Sequence, residues 1–529
     1  MNEPAAEADG APPAGRTRAI GTAAIILMAG NLAGSLFGFV RLSVMTDVFG
    51  ANYRTSAFIA ASVVPQMFYD LVIGAAVGAA LIPSFTEIFE RRGEGGLAGI
   101  VGPVLGLCWT ILAVLVGLLV IFARPVMSIL LWSQPPRGPE MTLAVSIAHV
   151  LIPTLLFLGT SAVLLAGLYS QRRFTVPAFA PSLYHIGIIL GAIMLARPLG
   201  IMALPVGALI GAASQALWLA LTYLRSRPPL RIRLELTPEL RRIIRLYAPV
   251  AAGLVVSVAG QTVDTGLKST LGHSALTTMA VATTLTQFPI GIAVAALTFA
   301  VMPSISSDAA SGEIERFKDT LALGIRFVLF LTIPAAIGYL ALGTPIVTLL
   351  FQHHHFTPGN THQTVQALLG YAPQIPMVGL DQMMIFSFYA RKDTLTPMLV
   401  GVLGVLVYVT TGIILKARYY VLGLAAANTI QNSTHAIVLL VLMVLAIGPL
   451  QRRGITASVA RSLGAGLAMG AATAGLAGFL SAALGDATLI TRATLVLLPV
   501  VAGSAIYVAA AAALRSPELR VAWRVARRT

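Results

Sequence analysis

Fourteen long apolar stretches constrain this chain more than any other feature. They lie at about residues 19–48, 57–88, 98–122, 142–170, 178–196, 200–224, 240–270, 275–305, 320–341, 363–390, 396–415, 420–447, 456–482 and 488–514. A helix needs about 20 mostly apolar residues to cross the roughly 30 Å hydrocarbon core of a bilayer. No water is available there, so each segment must satisfy its own backbone hydrogen bonds, as a helix does. Alternating strand patterns with turn signals do not occur in the sequence, which excludes a membrane β-barrel. Composition removes the soluble alternatives. Only 10% of the 529 residues are charged, 57% are hydrophobic, and the mean hydropathy is +0.86. Soluble domains carry roughly 25% charged residues to wet their surfaces. The expected fold is an all-α polytopic membrane protein of about fourteen transmembrane helices.

The basic residues predict its orientation. They gather in the two tails and the even-numbered connections: Arg16 and Arg18, Arg91 and Arg92, Arg172 and Arg173, seven arginines over residues 225–245, Arg391 and Lys392, Arg452 and Arg453, and the tail after Arg515. The odd-numbered connections hold fewer: Arg54, Arg124, Arg137, Arg197, Lys416, Arg418 and Arg492. This bias places both termini in the cytoplasm. The net charge of +15 is therefore a topology signal and not a nucleic-acid footprint. Residues 1–18 read as a disordered cytoplasmic tail and 515–529 as a basic one. Residues 225–245 read as a basic cytoplasmic linker. Its stretch 234–245 is either an amphipathic helix on the inner leaflet or a plain connection.

An internal repeat divides the spans. A shift of 220 residues brings Pro83 onto Pro303, Pro125 onto Pro345, Pro153 onto Pro373 and Pro177 onto Pro397, with similar flanking residues. Each unit holds six spans, an even number, so both copies enter from the same side. They are expected as two lobes, 19–224 and 240–447, related by an axis along the membrane normal, as parallel transporter repeats are. The last two spans, 456–514, fall outside the repeat.

Ionisable groups at membrane depth are costly and mark a functional path by default. The candidates are Arg41, Asp47, Asp70, Asp264, Lys268, Arg326 and Asp381. Asp264 and Lys268 are four residues apart on one helical face, so they can neutralise each other. Arg41 and Asp70 either pair across spans 1 and 2 or line a wet cavity. Asp47 and Arg326 sit nearer span ends, where snorkelling or a mouth position explains them. Span 8 adds Thr284 and Gln287, which can bind substrate or neighbouring helices. Enzyme chemistry has no support: the sequence holds no P-loop, no HExxH and no cysteine cluster. Lone Cys108 sits in an apolar run and excludes an intrachain disulfide. His353, His354 and His355 are consecutive, so they cannot converge on one ion from a regular element. They read as a solvated loop, and no metal or cofactor is expected.

Several motifs carry a family resemblance. Gly38-Phe39-Val40-Arg41, Phe49-Gly50-Ala51, Ala57-Phe58, Pro65 and Ile82-Pro83 resemble the start of the MurJ (MviN) family, within the multidrug/oligosaccharidyl-lipid/polysaccharide exporter superfamily. Residues 172–181, RRFTVPAFAP, are similar to that family's connection between spans 4 and 5. Gln287-Phe288-Pro289 with Met302-Pro303-Ser304 resembles its span 8, and Leu350-Phe351-Gln352 with Phe356-Thr357 its span 9–10 region. Residues 388–397, FYARKDTLTP, resemble its span 10–11 connection. Pro83, Pro177, Pro303, Arg391, Asp393 and Pro397 are the structural residues of these motifs.

The resemblance implies a flippase of the bacterial cytoplasmic membrane that moves lipid II, an undecaprenyl-diphosphate-linked disaccharide peptide, from the inner to the outer leaflet by alternating access. It implies a central cavity for the anionic head group and a groove at 456–514 for the lipid tail. The drive would be the membrane potential or a coupling cation. Membrane lipids and cell-wall synthesis proteins would be its partners. Arg41 would bind the diphosphate, with Lys268. Asp70 and Asp264 would set the cavity charge or bind a coupling cation, with Thr284, Gln287 and Asp381 also lining the cavity. The sequence departs from the family's cationic pattern: Ser35, Thr284 and Tyr69-Asp70 stand where basic residues are usual, and Ser56 where an aspartate is. The same fold serving another polyprenyl-linked glycan, a drug/cation antiporter, and a non-transporting cell-wall scaffold are the competing expectations.

Overall fold

The computed structural model describes residues 14–69, 80–225, 232–235, 237–450, 453–486 and 488–520. The first lobe contains α1 (Ala14–Phe49), α2 (Tyr53–Tyr69), α3 (Ile82–Ile121), α4 (Ala123–Leu130), α5 (Pro139–Leu151), α6 (Thr154–Ser170), α7 (Thr175–Phe179), α8 (Ser182–Met194), α9 (Ala196–Leu199) and α10 (Ala203–Leu224). The second contains α11 (Pro238–Ser269), α12 (Ala275–Ala300), α13 (Met302–Ser311), α14 (Ile314–Phe351), α15 (Pro358–Tyr371), α16 (Gln374–Ala390) and α17 (Leu395–Ile447). The last two spans are α18 (Ile455–Leu484) and α19 (Leu489–Ala513). Helix α1 starts inside the stretch read as an N-terminal tail; residues 1–13 lie outside the described residues.

Among the described residues every apolar stretch coincides with a helix, and backbone breaks explain where helices and spans differ. At 53 residues α17 would run about 80 Å if straight, too long for one crossing. It breaks at Tyr420, where φ is 50°, and so holds spans 11 and 12. Helix α3 breaks at Gly93, where φ is 65°, between a short amphipathic end and span 3. Span 4 is split at Pro153 and span 10 at Pro373, each because proline removes an amide donor and crowds the preceding turn.

The repeat survives in the backbone. Arg172 and Lys392, 220 residues apart, have φ of 60° and 62°. Each sits in the same helix-ending pattern: Arg173 N–H donates to the Leu168 carbonyl at 3.0 Å, and Asp393 N–H to the Phe388 carbonyl at 3.0 Å. Pro177 and Pro397 follow, both buried, near the start of the next span. Pro83 and Pro303 each occupy the first turn of a helix, where the missing donor costs nothing.

Within the first lobe, α8 packs on α10 through Gly187, Gly191, Gly207 and Gly211. A Cβ on Gly187 would lie 2.5 Å from the Gly207 carbonyl oxygen, so only glycine permits this approach. Helices α18 and α19 pack on each other and on α14. Tyr507 O–H donates to the Phe330 carbonyl at 2.7 Å. Buried Glu518 accepts from Ser458 and Ser516 and lies 3.4 Å from Arg326, which therefore has a partner from beyond span 14.

One end of the molecule joins the lobes. A single apolar core there includes Leu42, Met45 and Phe58 of the first lobe with Leu276, Met279 and Phe351 of the second. At the other end the cores are separate, one around Phe85, Leu97 and Tyr223, the other around Ile325, Met384 and Leu439. The divided end, which the start of α11 crosses, is the cleft side of the molecule.

Of the connection between the lobes, residues 226–231 and 236 lie outside the described residues. Thr237 caps α11, its hydroxyl accepting from Leu240 N–H at 3.2 Å. Leu240 and Ile243 are buried in the first lobe's own core, and Arg92 and Glu87 of α3 pair with Glu239 and Arg242. Leu240 and Ile243 of this turn meet protein, while Leu234 and Ile244 are exposed.

Candidate functional site

Arg41 lies on α1, half-buried, a half-turn before Ser43, whose hydroxyl donates to the Leu350 carbonyl of the other lobe at 3.1 Å. It therefore sits where the shared core gives way to the cleft. Tyr184 and His185 of α8 are its titratable neighbours, and a Cβ on Gly38 would lie 3.7 Å from His185 Nε2. Among the described residues Arg41 has no acidic partner. His185 Nδ1 is buried and also lacks a hydrogen-bond partner there. A guanidinium, an imidazole and a phenol on one wall make an arrangement suited to an anion.

Other expected site residues are placed differently. Asp264 and Lys268 pair at 2.6 Å, and Tyr408 O–H donates to the second Asp264 oxygen at 2.5 Å. Tyr371 bonds the Lys268 ammonium from α15. The pair is thus neutralised and fully engaged within the second lobe. Asp381 is 8% exposed and bound to His435 Nδ1 at 2.5 Å, while His435 Nε2 lies 3.2 Å from the Pro397 carbonyl. It ties α16 to α17 inside the lobe rather than facing the cleft. The Thr284 hydroxyl donates to Ala280 of its own helix at 2.9 Å. Gln287, one turn on, is exposed. Asp70 lies outside the described residues. Arg391 is at the end of α16. Asp393 accepts from Thr396 N–H at 3.0 Å and its O–H at 2.7 Å, and caps the start of α17. Those bonds, the backbone one foremost, hold its carboxyl below the usual carboxylate range.

The joined end is a polar seam across the lobes. Asp47 Oδ1 lies 2.6 Å from His354 Nδ1, and Glu140 Oε2 lies 2.8 Å from His273 Nδ1. Ser133 Oγ lies 3.0 Å from Ser269 Oγ, and Thr277 contacts both Thr55 and Ser56. Asn360 donates to the Ala51 carbonyl at 3.1 Å. Asp47 and the histidine run are therefore seam residues. Sequence reasoning missed Tyr184, His185, His273 and His435, although a histidine inside or beside a span carries the same signal as an aspartate there.

Comparison with known proteins agrees with this architecture. A sequence model described as "Lipid II flippase MurJ" matches residues 45–493. A probable lipid II flippase MurJ of Rhizobium meliloti (strain 1021) is 26% identical over 422 residues, covering 78% of each chain. The lipid II flippase MurJ of Burkholderia cenocepacia is 24% identical over 386 residues, 71% of this chain and 74% of its own length. A solved lipid II flippase MurJ in an inward closed conformation superposes with a TM-score of 0.75 at 20% identity, over 92% of this chain and 98% of that one. A multidrug-resistance MATE transporter in an inward-facing conformation gives 0.65 at 15% identity, over 81% and 99%. Both solved structures share the fold of this chain, and the sequence match identifies the family: this multi-pass membrane protein belongs to the lipid II flippase MurJ family.

Proposed function

We propose that this chain flips lipid II across the bacterial cytoplasmic membrane, with both termini in the cytoplasm, the seam on the outer side and the cleft open to the inner side. Arg41, which has no acidic partner among the described residues, carries the residue-level reading. The lipid diphosphate needs a cation or strong donors at depth, and Lys268 is already committed to Asp264 and Tyr371. Arg41 holds the diphosphate, and Tyr184 and His185 donate beside it. Opening of the seam and closure of the opposite end then deliver the head group outward. Movement of an anion in that direction runs with an inside-negative potential, worth about 2.3 kcal/mol per charge per 100 mV. The polyprenyl tail lies along α18 and α19, whose Leu467, Phe479, Leu497 and Val501 are exposed. Cell-wall synthesis proteins are the expected partners on the outer side.

The test is complementation. A bacterium depleted of its own lipid II flippase is given this chain, and outer-leaflet lipid II and growth are measured. Wild type restores both, and Arg41→Ala at equal membrane abundance restores neither. Full rescue by Arg41→Ala would remove the role assigned to the arginine.

A further inference from the structure

The two lobes turn between their last two spans in the same way, with one difference in residue. The first lobe uses Gly200, with φ 56° and ψ −139°. The second, 220 residues later, uses Tyr420, with φ 50° and ψ −124°. Glycine adopts this backbone freely, whereas a tyrosine there is strained. Burial does not compensate for the strain, because Tyr420 is 68% exposed. The turn needs the left-handed backbone, and it does not need the ring.

The ring lines a cavity of about 460 Å³, together with Arg418, Tyr419, His362, Gln363 and Gln366. That volume is in the range of small-molecule sites. The Arg418 guanidinium stacks 5.6 Å above the Tyr419 ring and has no acidic partner among the described residues. Gln363 accepts from the Ser274 hydroxyl at 2.7 Å, which leaves its amide N–H groups to donate. Gln366 has no partner among the described residues. Ser274 follows His273, so the cavity borders the seam and is separate from the cleft that holds Arg41.

We infer that this cavity binds an N-acetylated, carboxylate-bearing saccharide on the seam face of the molecule. Two tyrosine rings offer faces for sugar C–H groups, two primary amides suit acetamido and hydroxyl groups, and an unpaired guanidinium suits a carboxylate. The inference rests on the flippase reading and deepens it: a head group crossing the seam arrives beside this site. Two sources share the chemistry, the precursor's head group and the finished wall glycan.

The experiment uses the full chain in nanodiscs and saturation-transfer NMR. The probes are a water-soluble N-acetylglucosaminyl-N-acetylmuramyl pentapeptide, without lipid or diphosphate, and peptide-free glycan strands. Saturable binding of either supports the site, and the one that binds identifies the source. Arg418→Gln should weaken binding about tenfold, as loss of a charged hydrogen bond does. Tyr420→Gly should weaken it similarly while raising the melting temperature, because strain is relieved. Unchanged binding in a stabilised Tyr420→Gly protein, or no saturable binding by wild type, overturns the inference. Flipping in proteoliposomes is measured in parallel. Flipping without binding sinks this site alone, and binding without flipping sinks the flippase reading alone.

Discussion

At the scale of residues, a buried charge is informative only once its partners are known. Arg41 and Lys268 look alike in the sequence, since both are cations inside apolar runs. The fold separates them: Lys268 touches Asp264 and Tyr371, and Arg41 faces a phenol and an imidazole. Breaking a partly buried pair leaves an uncompensated charge, so Lys268→Met should cost about 1–3 kcal/mol. The double variant Asp264→Asn/Lys268→Met should recover most of that loss, because no charge is left alone. Melting of the two variants in detergent checks this. A double variant as unstable as the single one would argue that Tyr408 and Tyr371, and not the ion pair, hold this part of the lobe.

At the scale of elements, the two histidine–carboxylate pairs of the seam have similar geometry and different weights. Asp47 and His354 are both substantially exposed, with side chains 35% and 75% accessible, and such pairs are worth at most about 1 kcal/mol. Glu140 lies at the start of α5 and is 3% exposed, with His273 bonded to its carboxylate. Removal of His273 leaves a buried carboxyl without that partner. His273→Ala should therefore lower stability by about 1–3 kcal/mol, and His354→Ala by less than about 1 kcal/mol. Thermal melts of the two single variants decide the order. Equal losses would show that the burial of Glu140 carries no weight.

At the scale of the whole molecule, one shared core and two separate ones make the seam a hinge region that must part if the cleft is to open the other way. Ser133 and Ser269 bring their hydroxyl oxygens to 3.0 Å across it. Ser133→Cys with Ser269→Cys should form a disulfide under oxidation, lock the seam, and abolish rescue of a flippase-depleted cell. Reductant should restore rescue. The native Cys108 is distant in sequence and lies within α3, so it does not compete. Normal growth with the cross-link fully formed would show that transport does not require the seam to open.

The sequence by itself determined an all-helical membrane chain and its internal repeat. The bilayer enforces the helices, because a segment without water must close its own hydrogen bonds, and four prolines at one offset mark the repeat. It also determined that Asp264 and Lys268 can meet, since a helix brings residues four apart together. Only the tertiary structure decided which charges are free. Asp381 finds its partner 54 residues away, and Asp47 finds His354 at a separation of 307. Contacts of that range depend on how helices dock, and docking is set by shape, such as the glycine faces of α8 and α10, rather than by hydropathy. For the same reason nothing in the sequence signals that position 420 repeats the backbone of Gly200 with a tyrosine in its place.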